Sequence, residues 1–399
     1  MATTSEQVRA WTGPALFSYG FRPFFLGAGI WAAVAMMIWL AALTGWIELP
    51  SAFDPVSWHA HEFLFGYLSA ALAGFLLTAV PNWTGRLPVV GWPLAAMAAL
   101  WLLGRVVVLV SSGLPPLAVA LADLALPLVL AAVLLREIVG GRNWHNLVVL
   151  ALLAVFTLGN ALFHWQAAGG EIAAQGIGLR IGLGAGLMMV AVIGGRIIPS
   201  FTRNWLVRQP AGQAHLPAAP MQRLDKVALL LLLLAMLSWI ALPDAHPTAA
   251  LLAVAGVAHI VRLSRWAGIR TWREPLLMVL HAAYLFLPLG ALTMAAAIFI
   301  PDQVAPAVAQ HLWMAGAIGM MTLAVMTRAT LGHTGRPLSA GLGTTALYLA
   351  LATAVAARIM AGVLPTAASA LLAISAVGWV LAFGGFAVLY GPLLTSPKR

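Results

Sequence analysis

The chain contains no cysteine. Disulfides, thiolate metal sites and cysteine nucleophiles are excluded together, so any metal must be held by His, Met, Asp, Glu or a cofactor ring. Charge is scarce as well: Asp, Glu, Lys and Arg make up 8% of 399 residues, against about 25% in soluble domains. Acidic residues are the scarcest, 11 against 21 basic ones. Polar stretches are short, the longest running only from Thr202 to Lys226, which leaves no room for a separate soluble domain. A phosphate-cradling glycine loop, a nucleotide fold and a soluble hydrolase triad are all missing. Residues 1–20 lack a short apolar core followed by a small-residue cleavage site, so the first membrane helix is expected to act as the insertion signal.

What fills the chain is hydrocarbon. With 62% hydrophobic residues, it reads as an all-α polytopic membrane protein forming a single transmembrane domain over 1–399. A helix needs about 20 apolar residues to span the hydrocarbon core. Cutting at Pro, Gly and charge gives runs at 24–44, 58–81, 92–111, 115–135, 146–167, 179–199, 226–242, 248–263, 275–299, 306–329, 341–361 and 366–390, hence about twelve helices. The net charge of +10 would indicate nucleic acid in a soluble protein. Here the arginines sit in connections, so the expected partner is the lipid membrane and not nucleic acid.

Alternate connections divide by charge. Glu48, Asp54, Glu171, Asp244 and Asp302 lie on one side; Arg86, Arg136, Arg142, Arg203, Arg208, Arg223, Lys226, Arg262, Arg265, Arg270, Arg273 and Arg336 lie on the other. The positive-inside rule then places both termini in the cytoplasm and the protein in a bacterial inner membrane, and Lys398 and Arg399 agree.

The stretch Trp58-His59-Ala60-His61-Glu62 brings two histidines and a carboxylate into the second run. Ionisable groups inside lipid cost several kcal/mol, so they mark candidate functional sites. Asp54-Pro55 is a good helix start, an N-cap acid followed by proline. Residues three apart share a helix face and residues two apart do not. His59 and Glu62 are therefore expected to look one way, toward His164, and His61 the other.

Sliding the second run onto the tenth matches His61 to His311, Gly66 to Gly316, and Thr84-Gly85-Arg86 to Thr334-Gly335-Arg336. The sixth run joins them, with Arg196 on Arg328 and Leu179 at the histidine position. Three four-helix repeats, 20–135, 145–265 and 273–390, are expected. Imidazoles on two helices can hold haem iron axially, and His61 with His311 fits that role. A nitrogen and oxygen donor set suits copper, with His59, Glu62 and His164 as candidates. His259, His281 and His333, nearer the arginine side, are candidates for a second metal or haem site. Arg196 and Arg328 suit haem propionates through paired hydrogen bonds. The plainer alternatives are satisfied polar contacts for the histidines and snorkelling for the arginines. His145, His215 and His246 sit in or beside connections and read as solvated.

Several stretches together resemble the NnrS family: Gly20-Phe21-Arg22-Pro23-Phe24-Phe25, Trp58-His59-Ala60-His61-Glu62, Gly74 through Trp83, Gly195-Arg196-Ile197-Ile198-Pro199-Ser200-Phe201-Thr202, and Thr327 through Arg336. The likeness runs from near residue 17 to the last helix. It implies an inner-membrane protein containing haem b and copper, linked to denitrification and nitric oxide tolerance. A looser likeness is to the catalytic subunit of haem-copper oxidases and nitric oxide reductases, which also has three four-helix units and haem ligands on its second and tenth helices. The seventh run, Val227 to Leu242, has no histidine, so the copper-binding histidine pair of those enzymes has no counterpart there.

The function expected is binding or detoxification of nitric oxide or a related small ligand, with turnover as an oxidoreductase requiring an electron donor. The alternatives are a copper or small-solute transporter, and a haem-based sensor or assembly partner without turnover.

Overall fold

A computed structural model describes residues 10–86, 88–209 and 216–397. His215, Lys398 and Arg399 lie outside the described residues. Among those described, the chain is helical, without strands, and 12 helices are long and apolar enough to cross a membrane. In chain order these are α1 (Phe21–Leu43), α2 (Pro55–Pro81), α3 (Trp92–Leu109), α4 (Pro116–Gly140), α5 (Trp144–Ala168), α6 (Ile177–Leu206), α7 (Arg223–Ala241), α8 (His246–Ser264), α9 (Pro275–Phe299), α10 (Pro306–His333), α11 (Leu342–Val363) and α12 (Pro365–Thr395). Each of the twelve apolar runs is one helix. The main differences are at the C-terminal ends of α10 and α12 and at the arginine-bearing ends of α4 and α6, which all continue for several residues beyond the apolar run. Long Arg side chains there can reach the interface while their backbone stays helical.

The helices form two compact units. One takes the chain to Ala185, together with Met326–Pro337 and the segment from Phe383; the other takes Gly186–Val325 and Leu338–Ala382. In the first unit α2 is the most enclosed helix, with 89% of its apolar window buried against 33% for α3 and α4. A helix at the centre of a bundle can carry polar groups that a lipid-facing helix cannot.

Local sequence explains how α2 begins and why it is irregular. Asp54 caps it, its carboxylate accepting from the backbone N–H of Val56 and Ser57 at 3.1 and 3.0 Å, and Pro55 fills the first turn. From Glu62 to Tyr67 the helix widens to π geometry. The carbonyl of Gly66 accepts from the Trp101 indole N–H at 2.9 Å, which ties the widened turn to α3. Wider turns also occur in α6 at Val190–Gly194 and in α10 at Leu312–Gly319. In α2 and α10 they start one residue after a histidine, His61 and His311.

Small residues let helices approach where lipid gives no hydrophobic drive for association. A Cβ on Gly178 would lie 2.4 Å from the backbone nitrogen of Phe163, and one on Gly159 would lie 2.5 Å from that of Gly182. The α5–α6 seam is thus backbone against backbone, with no flexible side chain to give way. We expect Gly178→Ala to cost about 1–3 kcal/mol by overpacking, read as a lower unfolding temperature in detergent. Substitution of Gly113, where a Cβ meets nothing within 4 Å and the backbone is not left-handed, should be free of that overpacking cost.

Candidate metal centre

Six polar side chains from four helices meet inside the first unit: His61 and Glu62 on α2, Arg105 on α3, Asp123 on α4, and Asn160 and His164 on α5. All are at most 5% exposed. Burying so many ionisable groups in apolar surroundings is tolerable only when charges are paired and lone pairs satisfied.

The pairing centres on one guanidinium. Arg105 reaches both oxygens of Glu62 through Nη1 at 2.7 Å and bonds Asp123 Oδ1 through Nη2. Gly66 makes room for it: a Cβ there would lie 2.2 Å from Arg105 Nη1 and 2.6 Å from Glu62 Oε2. The indole N–H of Trp31 donates to Glu62 Oε2 at 2.7 Å. Arg105 Nε is buried without a partner.

His61 occupies the far side of both carboxylates. Its Nδ1 lies 3.1 Å from Glu62 Oε1, and its Nε2 lies 3.1 Å from Asp123 Oδ2 and 3.0 Å from Asn160 Oδ1. His164 Nε2 approaches the same Asp123 Oδ2 at 3.0 Å, and Asn160 Nδ2 donates to it at 2.7 Å. Rings of Phe53, Phe65 and Phe163 pack against His61, with centroids 5.1, 5.5 and 5.4 Å away.

Hydrogen-bond arithmetic makes this arrangement informative. A neutral imidazole has one N–H donor, yet both nitrogens of His61 face oxygen acceptors. If Nδ1 donates to Glu62, the lone pair on Nε2 meets those of Asp123 and Asn160, and a second ring proton or a metal ion relieves the conflict. Charge gives the same answer: two carboxylates and one guanidinium leave the cluster at −1 with neutral histidines. One positive charge, a proton on His61 or a metal ion, restores neutrality. His61, Asp123 and His164 offer ligand atoms all within 4.8 Å of one another, a group that can hold a metal ion.

The expected division of α2 by helix face is corrected here. His61 and Glu62 converge on one site: the two are adjacent in sequence, and His61 Nδ1 lies 3.1 Å from Glu62 Oε1. His59 leaves them and stacks on Trp39 at 4.5 Å and Phe63 at 4.8 Å. Glu62 and His164 lie in one hydrogen-bonded cluster through His61 and Asp123, and His59 lies outside it.

The remaining candidates lie elsewhere. In the second unit, His259 Nε2 donates to the Ala228 carbonyl at 3.0 Å, and its Nδ1 lies 2.8 Å from the Tyr284 hydroxyl. Arg262 bonds Asp225 at 2.8 Å, the Ala191 carbonyl at 3.0 Å and the Tyr284 hydroxyl at 2.8 Å. His281 meets the Thr202 hydroxyl at 2.9 Å, and its Nδ1 is buried without a partner. His311 Nδ1 donates to the Ala307 carbonyl one turn back at 2.7 Å. Arg196 belongs to this unit and is half-buried. In the first unit, His333 stacks with Tyr19 and Phe21 at 5.3 Å each, and Arg328 is half-buried.

Sequence reasoning missed Arg105, Asp123 and Asn160. A signal existed: Arg105 and Asp123 are opposite charges inside neighbouring apolar runs, which calls for a shared partner.

Fold and site define a polytopic helical membrane protein with a buried, charge-bridged histidine–carboxylate centre. A family model described as the NnrS protein matches residues 15–398, and the chain belongs to the NnrS family. Comparison with curated proteins yields no match.

The cluster makes a stability prediction. Arg105→Gln strands two buried carboxylates and should cost about 3–5 kcal/mol, measured by denaturation of the detergent-solubilised protein. Adding Asp123→Asn and Glu62→Gln should recover much of that loss. A triple variant no more stable than Arg105→Gln alone would show that the ion pairs are not what holds these helices together.

Proposed function

We propose that this protein is a membrane metalloprotein that binds nitric oxide or a related small ligand, with copper at His61, Asp123 and His164. The observation that carries the reading is the convergence of ligand atoms from His61, Asp123 and His164, all within 4.8 Å of one another, where oxygen acceptors face both nitrogens of His61 and a neutral ring can donate to only one side. Membership of the NnrS family supports a nitric oxide-related role.

The donor set fits copper. Imidazole nitrogen with carboxylate oxygen is a normal ligand combination for it, and copper tops the first-row affinity order. A monovalent copper ion also brings the cluster to zero charge. Bound there, copper supplies a one-electron redox centre with affinity for nitric oxide.

The chain's own residues do the rest. His61 and His164 offer imidazole nitrogen, and Asp123 offers Oδ2 while its Oδ1 stays on Arg105. Asn160 orients Asp123 through Nδ2, in the manner of outer partners that fix metal ligands. Arg105 and Glu62 hold the charge around the site constant. Phe53, Phe65 and Phe163 exclude water, and nitric oxide, being small and apolar, can reach such a site from lipid.

Haem b remains part of the proposal, through His311 and not His61. Both nitrogens of His61 are turned onto side-chain oxygens, which favours His311 over His61 as the haem ligand. Arg328 stands 17 residues along α10 from His311, about 25 Å at 1.5 Å per residue, so the arginines Arg196 and Arg328 take no part in this reading. The arginine-bearing connections put both termini in the cytoplasm of a bacterial inner membrane in this reading.

Purified protein should bind copper, and Asn160→Leu should weaken that binding roughly 10–100-fold, with His61→Ala weaker still. Competition titration against a chelator measures it. Anaerobic nitric oxide should then alter the copper spectrum of the native protein and leave that of His61→Ala unchanged. Stoichiometric copper in both proteins with identical nitric oxide responses would sink the assignment.

A further inference from the structure

Away from the charge cluster, the first unit holds a groove of about 820 Å³ between α3, α4 and the connection that precedes α3. Its walls are apolar, among them Val89, Val90, Pro93, Ala96, Met97 and Val129. At its polar end stand Arg86, Arg136 and Glu137. Arg86 Nε meets Glu137 Oε2 at 2.5 Å, and Arg136 meets Glu137 Oε1 through Nε at 2.8 Å and Nη2 at 2.7 Å. The glutamate side chain is only 7% exposed, while the arginines are 43% and 63% exposed.

Two guanidiniums on one carboxylate leave one positive charge in excess. Gly140 holds Arg86 at the groove's edge, since a Cβ there would lie 2.6 Å from its Nη1. An arginine that served only the positive-inside rule would need neither a buried carboxylate to fix its direction nor an apolar recess beside it. Fixed guanidinium groups match phosphate oxygens in paired hydrogen bonds, and basic pockets between membrane helices take lipid headgroups. The volume lies within the range of about 300–1,000 Å³ typical of ligand sites.

We propose that this groove binds an anionic phospholipid, its phosphate on Arg86 and Arg136 and an acyl chain along the walls between α3 and α4. Glu137 is a positioning residue that aims both arginines. A soluble phosphate would leave the apolar walls unused.

The test measures binding of phosphatidylglycerol and phosphatidylcholine to the detergent-solubilised full chain by native mass spectrometry. Glycerol 3-phosphate serves as a headgroup without chains. Native protein should prefer phosphatidylglycerol, and the preference should fall roughly fivefold for each arginine replaced in Arg86→Gln and Arg136→Gln. The variant Arg86→Gln/Arg136→Gln/Glu137→Gln, which leaves no stranded carboxylate, should show no preference. Ala96→Trp, on an exposed wall, should weaken both lipids, and glycerol 3-phosphate should not compete. Arg136→Gln alone suffices if the other variants fail to fold, because that side chain is the most exposed of the three. A charge preference surviving in Arg136→Gln and in the triple variant, lipid binding untouched by Ala96→Trp, or full competition by glycerol 3-phosphate would each overturn the proposal.

Discussion

The ion pairs of Arg105 with Glu62 and Asp123 are the constraint on which the first unit depends. Three charged groups at most 5% exposed would each be untenable alone in apolar surroundings. Held together they fix α2, α3 and α4 at one depth and present their remaining oxygens to His61. The rest of the site follows from where those oxygens point. The cluster is one positive charge short, and its histidines supply the place for it.

Several local features serve this arrangement. Gly66, in the widened turn at Glu62–Tyr67, leaves the space that Arg105 fills. Turns of this kind cost regular hydrogen bonding and occur frequently at functional sites. Asn160 then resolves the polarity of the inner face, donating to Asp123 and accepting near His61. The second unit handles its own buried arginine differently: Arg262 is neutralised one-to-one by Asp225 and further held by a hydroxyl and a carbonyl. That cluster is balanced without a further cation, and this is the chemical difference between the two.

The fold was legible in the sequence because hydrocarbon imposes a length and a composition on every span, and twelve apolar runs became twelve helices. The site was legible in part. His61, Glu62 and His164 stood out as ionisable residues in lipid-length runs, but the wheel of a regular α-helix put His61 and Glu62 on different faces. Neighbours about 100° apart on a helix can still bend their side chains onto one partner, and nothing in the local composition announces that they do. Arg105 and Asp123 escaped notice for the opposite reason: each is a single charge in a long apolar run, and only their proximity across α3 and α4 gives them meaning. His59 looked like a ligand by spacing, yet the indole of Trp39 lies face to face with its ring.

The proposed cation among His61, Asp123 and His164 is tested most directly by anomalous scattering at the copper edge from crystals of the copper-loaded protein. One strong peak bounded by His61 Nε2, Asp123 Oδ2 and a His164 ring nitrogen is expected. A copper peak elsewhere, with His61 still hydrogen-bonded to both carboxylates as a charged imidazolium, would contradict it.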